Sequence, residues 1–287
     1  MKLIRFDQGQ GPRLGILDGD RVHDVQSLFP ALAAGDMAAL LALGAQARST
    51  IAAQQSKTPS VAAKDVRLLA PIANPPKIIC AWVNYPNPAV AKQPELPIFF
   101  SKYTSAIIGP YTPVQLPIIG DEIVVEPELS AVIGIGGRHI KAEDALKHVA
   151  GYTIVNDVTA FSHRLQILLG SQGPYMMAKS FDTFAPMGPA IVTSDEVGDP
   201  HNLEVRQWTN GELITAANTS EMIFKLPHLI SYVSGFFTLQ PGDVLLTGSP
   251  PPNSGKPYFL KAGDKFRIEI SKVGILDSTA IAEADAR

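Results

Sequence analysis

Three carboxylates in apolar surroundings are the side chains of this sequence best placed to do chemistry. Glu126 and Glu128 stand two apart in Val124-Val125-Glu126-Pro127-Glu128-Leu129-Ser130-Ala131-Val132-Ile133-Gly134. Asp157 follows in Gly151-Tyr152-Thr153-Ile154-Val155-Asn156-Asp157-Val158. Both stretches are β-branched and apolar, which predicts buried strands. A carboxylate is almost never buried without a partner, because desolvating its charge costs several kcal/mol. No Lys or Arg adjoins either stretch, so a bound cation is the economical answer. An all-oxygen donor set suits a hard divalent ion: magnesium, manganese or calcium. Side chains two apart on a strand share a face, so Glu126 and Glu128 can aim at one ion, with Asp157 arriving from the end of a second strand. Surface strand acids would leave the same pattern. Pro127 removes a ladder hydrogen bond, which predicts an edge position or a bulge. Asp121 and Glu122 read as solvated loop acids.

Further residues are candidates beside this set. Lys179, in Met177-Ala178-Lys179-Ser180-Phe181-Asp182, is either a surface lysine paired with Asp182 or a cation that stabilises a developing oxyanion or enolate. Thr247-Gly248-Ser249-Pro250 ends a strand with a hydroxyl and turn amides, a common ligand-pocket wall and equally an ordinary turn.

The elements that must position these residues follow from hydrophobic period and turn signals. Leu3–Phe6 reads as a strand and Leu14–Val25 as a hairpin about Asp18-Gly19. Ala38–Gln54 has helical spacing, and Lys64–Leu69 reads as a strand. This first stretch, residues 1–70, forms a small β-rich unit, and residues 71–287 form the main one. In the main unit, Lys77–Ala81 is a strand and Phe99–Tyr103 an aromatic segment. Ile123–Ile133 and Tyr152–Asn156 are the carboxylate strands. Ala142–Ala150 is a short helix, with Gly151 as its left-handed cap. Leu203–Trp208 and Glu212–Thr215 flank Asn210-Gly211, a type I′ hairpin signal. Leu226–Phe237 is a helix with Pro227 in its first turn. Val244–Thr247 is a strand after the Pro241-Gly242-Asp243 turn, and Phe266, Ile268 and Ile270 alternate as a half-buried strand. Strands outnumber helices and strand–helix–strand repeats are few, which predicts an α+β architecture dominated by a rolled or sandwiched sheet.

Bulk properties exclude several classes. The formal net charge of −3 and scattered basic residues give no footprint for nucleic acid. No apolar run is long enough to span a bilayer. Cys80 is the one cysteine, so no intramolecular disulfide can form, and a reducing, cytoplasmic location is expected. Charges at the N-terminus stand where a signal peptide needs its apolar core.

In order and spacing, the motifs resemble the fumarylacetoacetate hydrolase family over residues 75–272. The matching stretches are Glu126-Pro127-Glu128-Leu129 with Val132-Ile133-Gly134, Gly151-Tyr152-Thr153 through Asn156-Asp157, Lys179-Ser180-Phe181-Asp182-Thr183-Phe184, Asn210-Gly211-Glu212, Asn218-Thr219-Ser220, and Pro241-Gly242-Asp243 through Thr247-Gly248. The resemblance implies a mixed β-sandwich roll, a magnesium or manganese ion on Glu126, Glu128 and Asp157, and a substrate pocket bordered by Lys179, Tyr85, Thr247 and Gly248. It implies chelating substrates (1,3-diketo acids, acylpyruvates or other 2-oxo acids) and a homodimer. Hydrolytic carbon–carbon cleavage of such a substrate is the expected reaction. Decarboxylation or keto–enol isomerisation is the alternative, and a non-catalytic metal and ligand binder is a further one.

One departure bears on the reaction. Hydrolases of the family carry a His-Glu pair after an Asn-Tyr. Here Asn84-Tyr85-Pro86-Asn87-Pro88-Ala89-Val90-Ala91 puts Pro88 and Ala91 at those positions. Neither can move a proton. His163 is the candidate replacement base, a loop histidine being the plainer reading. Arg164 is the candidate for the family's arginine after Asn-Asp, displaced by a local insertion.

Overall fold

A computed structural model of the chain describes residues 1–90, 92–161 and 175–286. Among these, the main sheet has twelve strands. From one edge its path runs Ser60–Ala62, Arg21–Asp24, Pro12–Asp18, Lys2–Asp7, Ala185–Thr193, Val149–Asn156, Pro127–Ile133, Val244–Leu246, Ile78–Trp82 and Ile98–Ser101. Neighbours on this path are antiparallel except Val244–Leu246 and Ile78–Trp82, which pair in parallel. Lys2–Asp7 pairs directly with Ala185–Thr193, so the N-terminal strands extend the same sheet. A five-stranded sheet, Glu212–Asn218, Glu204–Thr209, Lys265–Ile270, Gly274–Ala282 and Val114–Leu116, packs over the central strands. The result is the mixed α+β sandwich roll.

Alternation along the central strands divides two cores. Leu129, Ala131, Ile133, Ile154 and Leu245 face one side, where Val205, Ile268, Ile270 and Leu276 of the five-stranded sheet and Leu229 and Ile230 of the helix Leu226–Ser234 close the layer. Val132, Val155, Leu246 and Cys80 face the other side, and Glu128 shares that face by register. Strands covered on both faces cannot show polar alternation, which accounts for the unbroken apolar runs in the sequence.

Several sequence expectations hold and others change. The Asn210-Gly211 turn has both residues at positive φ, 51° and 85°, as type I′ requires. Pro227 lies at the start of its helix, which ends at Ser234 rather than Phe237. Ala38–Gln54 is two helices, Met37–Ala42 and Ala45–Gln54, because Gly44 at φ 56° breaks the run. Residues Ala142–His148 form a 3-10 helix, and Gly151 is a strand residue, not a left-handed cap. Its glycine has another cause: a Cβ there would stand 2.3 Å from the Val192 carbonyl oxygen. The first carboxylate strand is interrupted at Val125-Glu126, giving Ile123–Val124 and Pro127–Ile133. Pro127–Ile133 is central rather than an edge, and Pro127 is tolerated as its first residue.

Candidate active site

The interruption at Val125-Glu126 brings the two carboxylate segments together. Asp157 N–H donates to the Glu126 carbonyl at 3.0 Å. The Glu126 N–H donates to Asn156 Oδ1 at 3.0 Å. Beyond this junction, Ile123–Val124 pairs with Thr159–Ala160 as a separate ribbon. The carboxylates therefore sit where both chains leave the main sheet.

Two lysines answer the acids. Lys102 Nζ donates to Asp157 Oδ1 at 2.6 Å and to the Val158 carbonyl at 3.1 Å. Lys179 Nζ donates to Asp157 Oδ2 at 2.7 Å and also bonds Glu126 Oε2. Thr159 Oγ1 donates to the same Glu126 oxygen at 2.7 Å. Lys179 is thus a buried ammonium shared by two acids, not a surface lysine held by Asp182. It also lies over the Phe100 ring, 4.9 Å from the centroid.

The electrostatic consequences are uneven. Burial works against an ionised Asp157, but the two lysine charges and their hydrogen bonds outweigh it and hold the carboxyl below its usual range. Burial likewise opposes the Lys179 charge, yet Asp157 and Glu126 raise its pKa above that of an ordinary lysine. Lys102, wholly buried and with Asp157 as its acid, is lowered by desolvation. Glu128 is pushed well up, by burial first and then by the negative charge of Asp157. Among the described residues, its favourable backbone contact is the Gly248 N–H, donated to Oε2 at 2.6 Å.

The donor set fits a hard divalent cation in kind. Three carboxylates face two lysines, and among the described residues no Lys or Arg hydrogen-bonds Glu128. A further positive charge is what would let a carboxylate so buried ionise. In position, Glu126 and Asp157 converge on the Lys179 ammonium, and among the described residues no three acids, histidines or cysteines surround a common centre.

Other predicted site residues lie around this cluster. Thr247 is fully buried and donates its hydroxyl to the Leu129 carbonyl at 2.8 Å. Gly248, at φ 93°, has no room for a Cβ, which would meet Asn84 Cβ at 2.7 Å. Tyr85 is buried, feels the Glu128 charge, and its hydroxyl has no hydrogen-bond partner among the described residues. His163, Arg164 and Ala91 lie outside the described residues. A cavity of about 420 Å³ opens beside Glu126, between the Asn87–Ala89 segment and the Pro250–Pro252 loop. A larger one, about 570 Å³, lies against Tyr111, Trp208 and Arg267 and shares no residue with the carboxylates.

The sequence reading missed Lys102 and Asn84. Lys102 follows the aromatic strand Ile98–Ser101, and a lysine there signals a buried acid partner. Asn84 is fully buried; its side-chain amide donates to the Phe224 and Thr247 carbonyls at 3.0 and 2.8 Å and accepts from Phe224 N–H at 2.7 Å. It ties the segment above the site to the strand end below it.

A two-sheet roll with three acids and two buried lysines at a strand junction defines a class, and comparison with known proteins identifies it. The model of the fumarylacetoacetate (FAA) hydrolase C-terminal domain matches residues 77–281, and that of the Rv2993c-like N-terminal domain matches residues 1–71. The chain belongs to the fumarylacetoacetate hydrolase family. It is 40% identical over 292 residues to the Xenopus laevis protein named oxaloacetate tautomerase fahd2, mitochondrial, covering 98% of this chain and 90% of that one. Among solved structures, maleylpyruvate hydrolase from Sphingobium sp. SYK-6, in complex with manganese(II) ion and pyruvate, is 33% identical with a TM-score of 0.84, over 98% of this chain and 99% of the other. The 5-carboxymethyl-2-hydroxymuconate delta-isomerase from Mycobacterium smegmatis is 32% identical with a TM-score of 0.78, over 99% and 100%.

Proposed function

We propose that this chain is a divalent-metal-dependent enzyme that interconverts the keto and enol forms of a 2-oxo acid. This puts the alternative reaction of the sequence reading ahead of carbon–carbon hydrolysis. The observation that carries the choice is the pairing of an intact charged floor with an Asn87–Val90 segment that presents no acid or base. Asn87 Oδ1 accepts the Ala89 N–H and the Asn87 carbonyl accepts the Val90 N–H, a turn with Pro88 at its second position. Both reactions need a proton-transfer group, but hydrolysis must in addition hold and activate a water at this rim, whereas enolisation moves a proton that the substrate already carries. The likeness to a protein named oxaloacetate tautomerase supports the same reading.

Glu126, Glu128 and Asp157 are the proposed ligands of the ion, which would polarise the substrate's carboxylate and keto oxygens. The chain's own groups supply the rest. Lys102 and Lys179 fix both oxygens of Asp157, so the carboxylate cannot turn away. Lys179, held protonated by two acids, acts as a stationary positive charge for the oxygen that becomes negative when the C3–H bond breaks. Its raised pKa makes it a poor base, which leaves the C3 proton to another group; His163 remains the proposal for it. In the balanced step a C3 proton leaves, the C2=C3 double bond forms, and the C2 oxygen is protonated.

The test is the ultraviolet absorbance of the enol. Purified protein with manganese should speed keto–enol equilibration of oxaloacetate, chelator should abolish the effect, and acylpyruvates should not be cleaved. Cleavage of an acylpyruvate to two acids without any effect on enol equilibration would overturn the proposal. The ligand set has its own check: Glu128→Gln should abolish manganese binding measured by calorimetry while far-ultraviolet circular dichroism stays native.

A further inference from the structure

We infer that His201 is a positioning residue for the floor of the site and works only as the neutral imidazole. It anchors the start of the helix Leu226–Ser234, and through Asn84 that anchor reaches the turn that supports Glu128. Its protonation therefore loosens the floor in mild acid. The last step rests on the reading of Glu128 as a metal ligand; the anchor itself does not.

The first N–H groups of a helix have no acceptor within it and must find one elsewhere. In Leu226–Ser234, Pro227 has no N–H, and His228 and Leu229 both donate to the Lys225 carbonyl, at 2.9 and 3.1 Å. The Leu226 N–H remains. Lys225, at the N-cap, makes no side-chain bond to the helix, and Leu226 is 1% exposed, so water is a poor substitute. His201 Nε2 accepts this N–H at 3.1 Å. An accepting nitrogen carries a lone pair, so the neutral ring bears its proton on Nδ1, which faces Asp199 Oδ1 at 3.4 Å. Protonation turns Nε2 into a second donor. The Leu226 N–H then loses its partner, and a positive ring stands at the positive end of the helix.

The consequences run through buried polar contacts. Ile223 and Phe224, just before the helix, donate their N–H groups to the Asn84 carbonyl at 2.8 Å and to Asn84 Oδ1 at 2.7 Å. The Asn84 amide donates to the Thr247 carbonyl at 2.8 Å. Gly248, packed against the Asn84 Cβ, donates to Glu128. Among the described residues, two charged groups act on the imidazole. Burial holds its pKa below that of an ordinary histidine, Asp199 opposes the shift, and Lys225 adds to it. The unfolded chain takes this proton at about pH 6.5 and the folded one takes it lower. Between the two values the unfolded state binds more protons, so stability falls as pH falls, by up to about tenfold in the unfolding constant per pH unit.

His201→Gln tests the anchor, because its carboxamide oxygen can accept the Leu226 N–H and does not titrate. In urea with chelator, lowering the pH from 7.5 to 5.5 should raise the unfolding constant about fivefold more in the parent than in this variant. His201→Ala, with no acceptor, should be less stable than the parent at pH 7.5 and should lose the same extra dependence. In calorimetry, manganese affinity should weaken about twofold more across that pH range in the parent than in His201→Gln. The His201 ring resonances in NMR need no variant to fold, and should titrate below about pH 6.5 in the parent. Titration at or above that value, or the same pH dependence of stability in parent and His201→Gln, would overturn the anchor. Equal pH dependence of manganese affinity in the two proteins would overturn its link to the floor. Absence of manganese binding by the parent at pH 7.5 would instead count against the proposed ligand set, while the urea comparison still decides on His201.

Discussion

The floor of the site and its rim are built by opposite means. The floor is closed and charged, with Asp157 and Lys102 just past strand ends and Lys179 at the end of the helix Tyr175–Lys179: all three are buried, and each has its position fixed by another. The rim is turn-borne, proline-rich and neutral, from Asn87 to Val90 on one side and Pro250 to Pro252 on the other. Buried charges tolerate almost no substitution, because removing one partner strands the other. Turns exposed to solvent tolerate a great deal. A fold that keeps one floor and varies the rim could therefore support both hydrolysis and isomerisation, and the solved relatives of this fold include a protein named a hydrolase and one named an isomerase.

The most severe break of this contrast is Lys179→Met. It removes the charge proposed to stabilise the reacting oxygen, and turnover of oxaloacetate should fall about a thousandfold. It also leaves Glu126 and Asp157 without their shared cation, so stability measured in urea with chelator should drop by about 3–5 kcal/mol. A variant that keeps a tenth of the activity would show that the floor is not the source of the electrostatic catalysis.

Lys102→Met comes next. Lys102 touches the carboxylate that the substrate's ion would use, not the substrate, so it is a positioning residue. Freeing Asp157 Oδ1 should cost about 3 kcal/mol in the same urea titration. The loss should be much smaller in an Asp157→Asn background, because the stranded charge is then gone. Equal losses in both backgrounds would mean that Lys102 contributes by packing its methylenes rather than by charge.

How much of this was legible in the sequence follows the same divide. The three acids were visible because a carboxylate among β-branched residues is conspicuous. The hairpin at Asn210-Gly211 and the strand Lys265–Ile270 were visible because turn chemistry and period-two alternation are local. What answers the acids was not visible. The inference that a bound ion was needed came from seeing no nearby basic residue, yet Lys102 and Lys179 arrive from 55 and 22 positions away from Asp157. Ile98–Ser101 is the edge strand, with two strands between it and Pro127–Ile133, and no periodicity encodes the approach that brings Lys102 onto Asp157. The break at Val125-Glu126 was hidden for a related reason: the strand departs to pair with Thr159–Ala160, a partner far along the chain. Gly151 looked like a helix cap because the tight approach of Val192 that explains it is also non-local.

Asn84→Ala probes the seam between floor and rim. Its carboxamide makes three buried hydrogen bonds to Phe224 and Thr247. Truncation leaves two carbonyls and one N–H unpartnered, at a cost of about 2–3 kcal/mol by thermal or urea unfolding. Gly248, which packs on the Asn84 Cβ and donates to Glu128, should shift with it, so manganese affinity should weaken in the same variant. A stability loss with unchanged manganese affinity would separate the two regions and limit Asn84 to the rim.

Pro88→Ala is the smallest expected effect and the sharpest test of the rim's neutrality. Pro88 is exposed and occupies the second position of the Asn87–Val90 turn. Its fixed φ restricts the unfolded chain, so alanine should cost about 0.5 kcal/mol and no more. The turn itself is held by Asn87, whose side chain and carbonyl both remain. Oxaloacetate enolisation should stay within threefold of the parent, because the residue moves no proton and touches none of the charged groups. A tenfold loss of turnover at unchanged stability would mean that the rigid turn shapes the substrate directly, and the rim would then share the catalytic work assigned here to the floor.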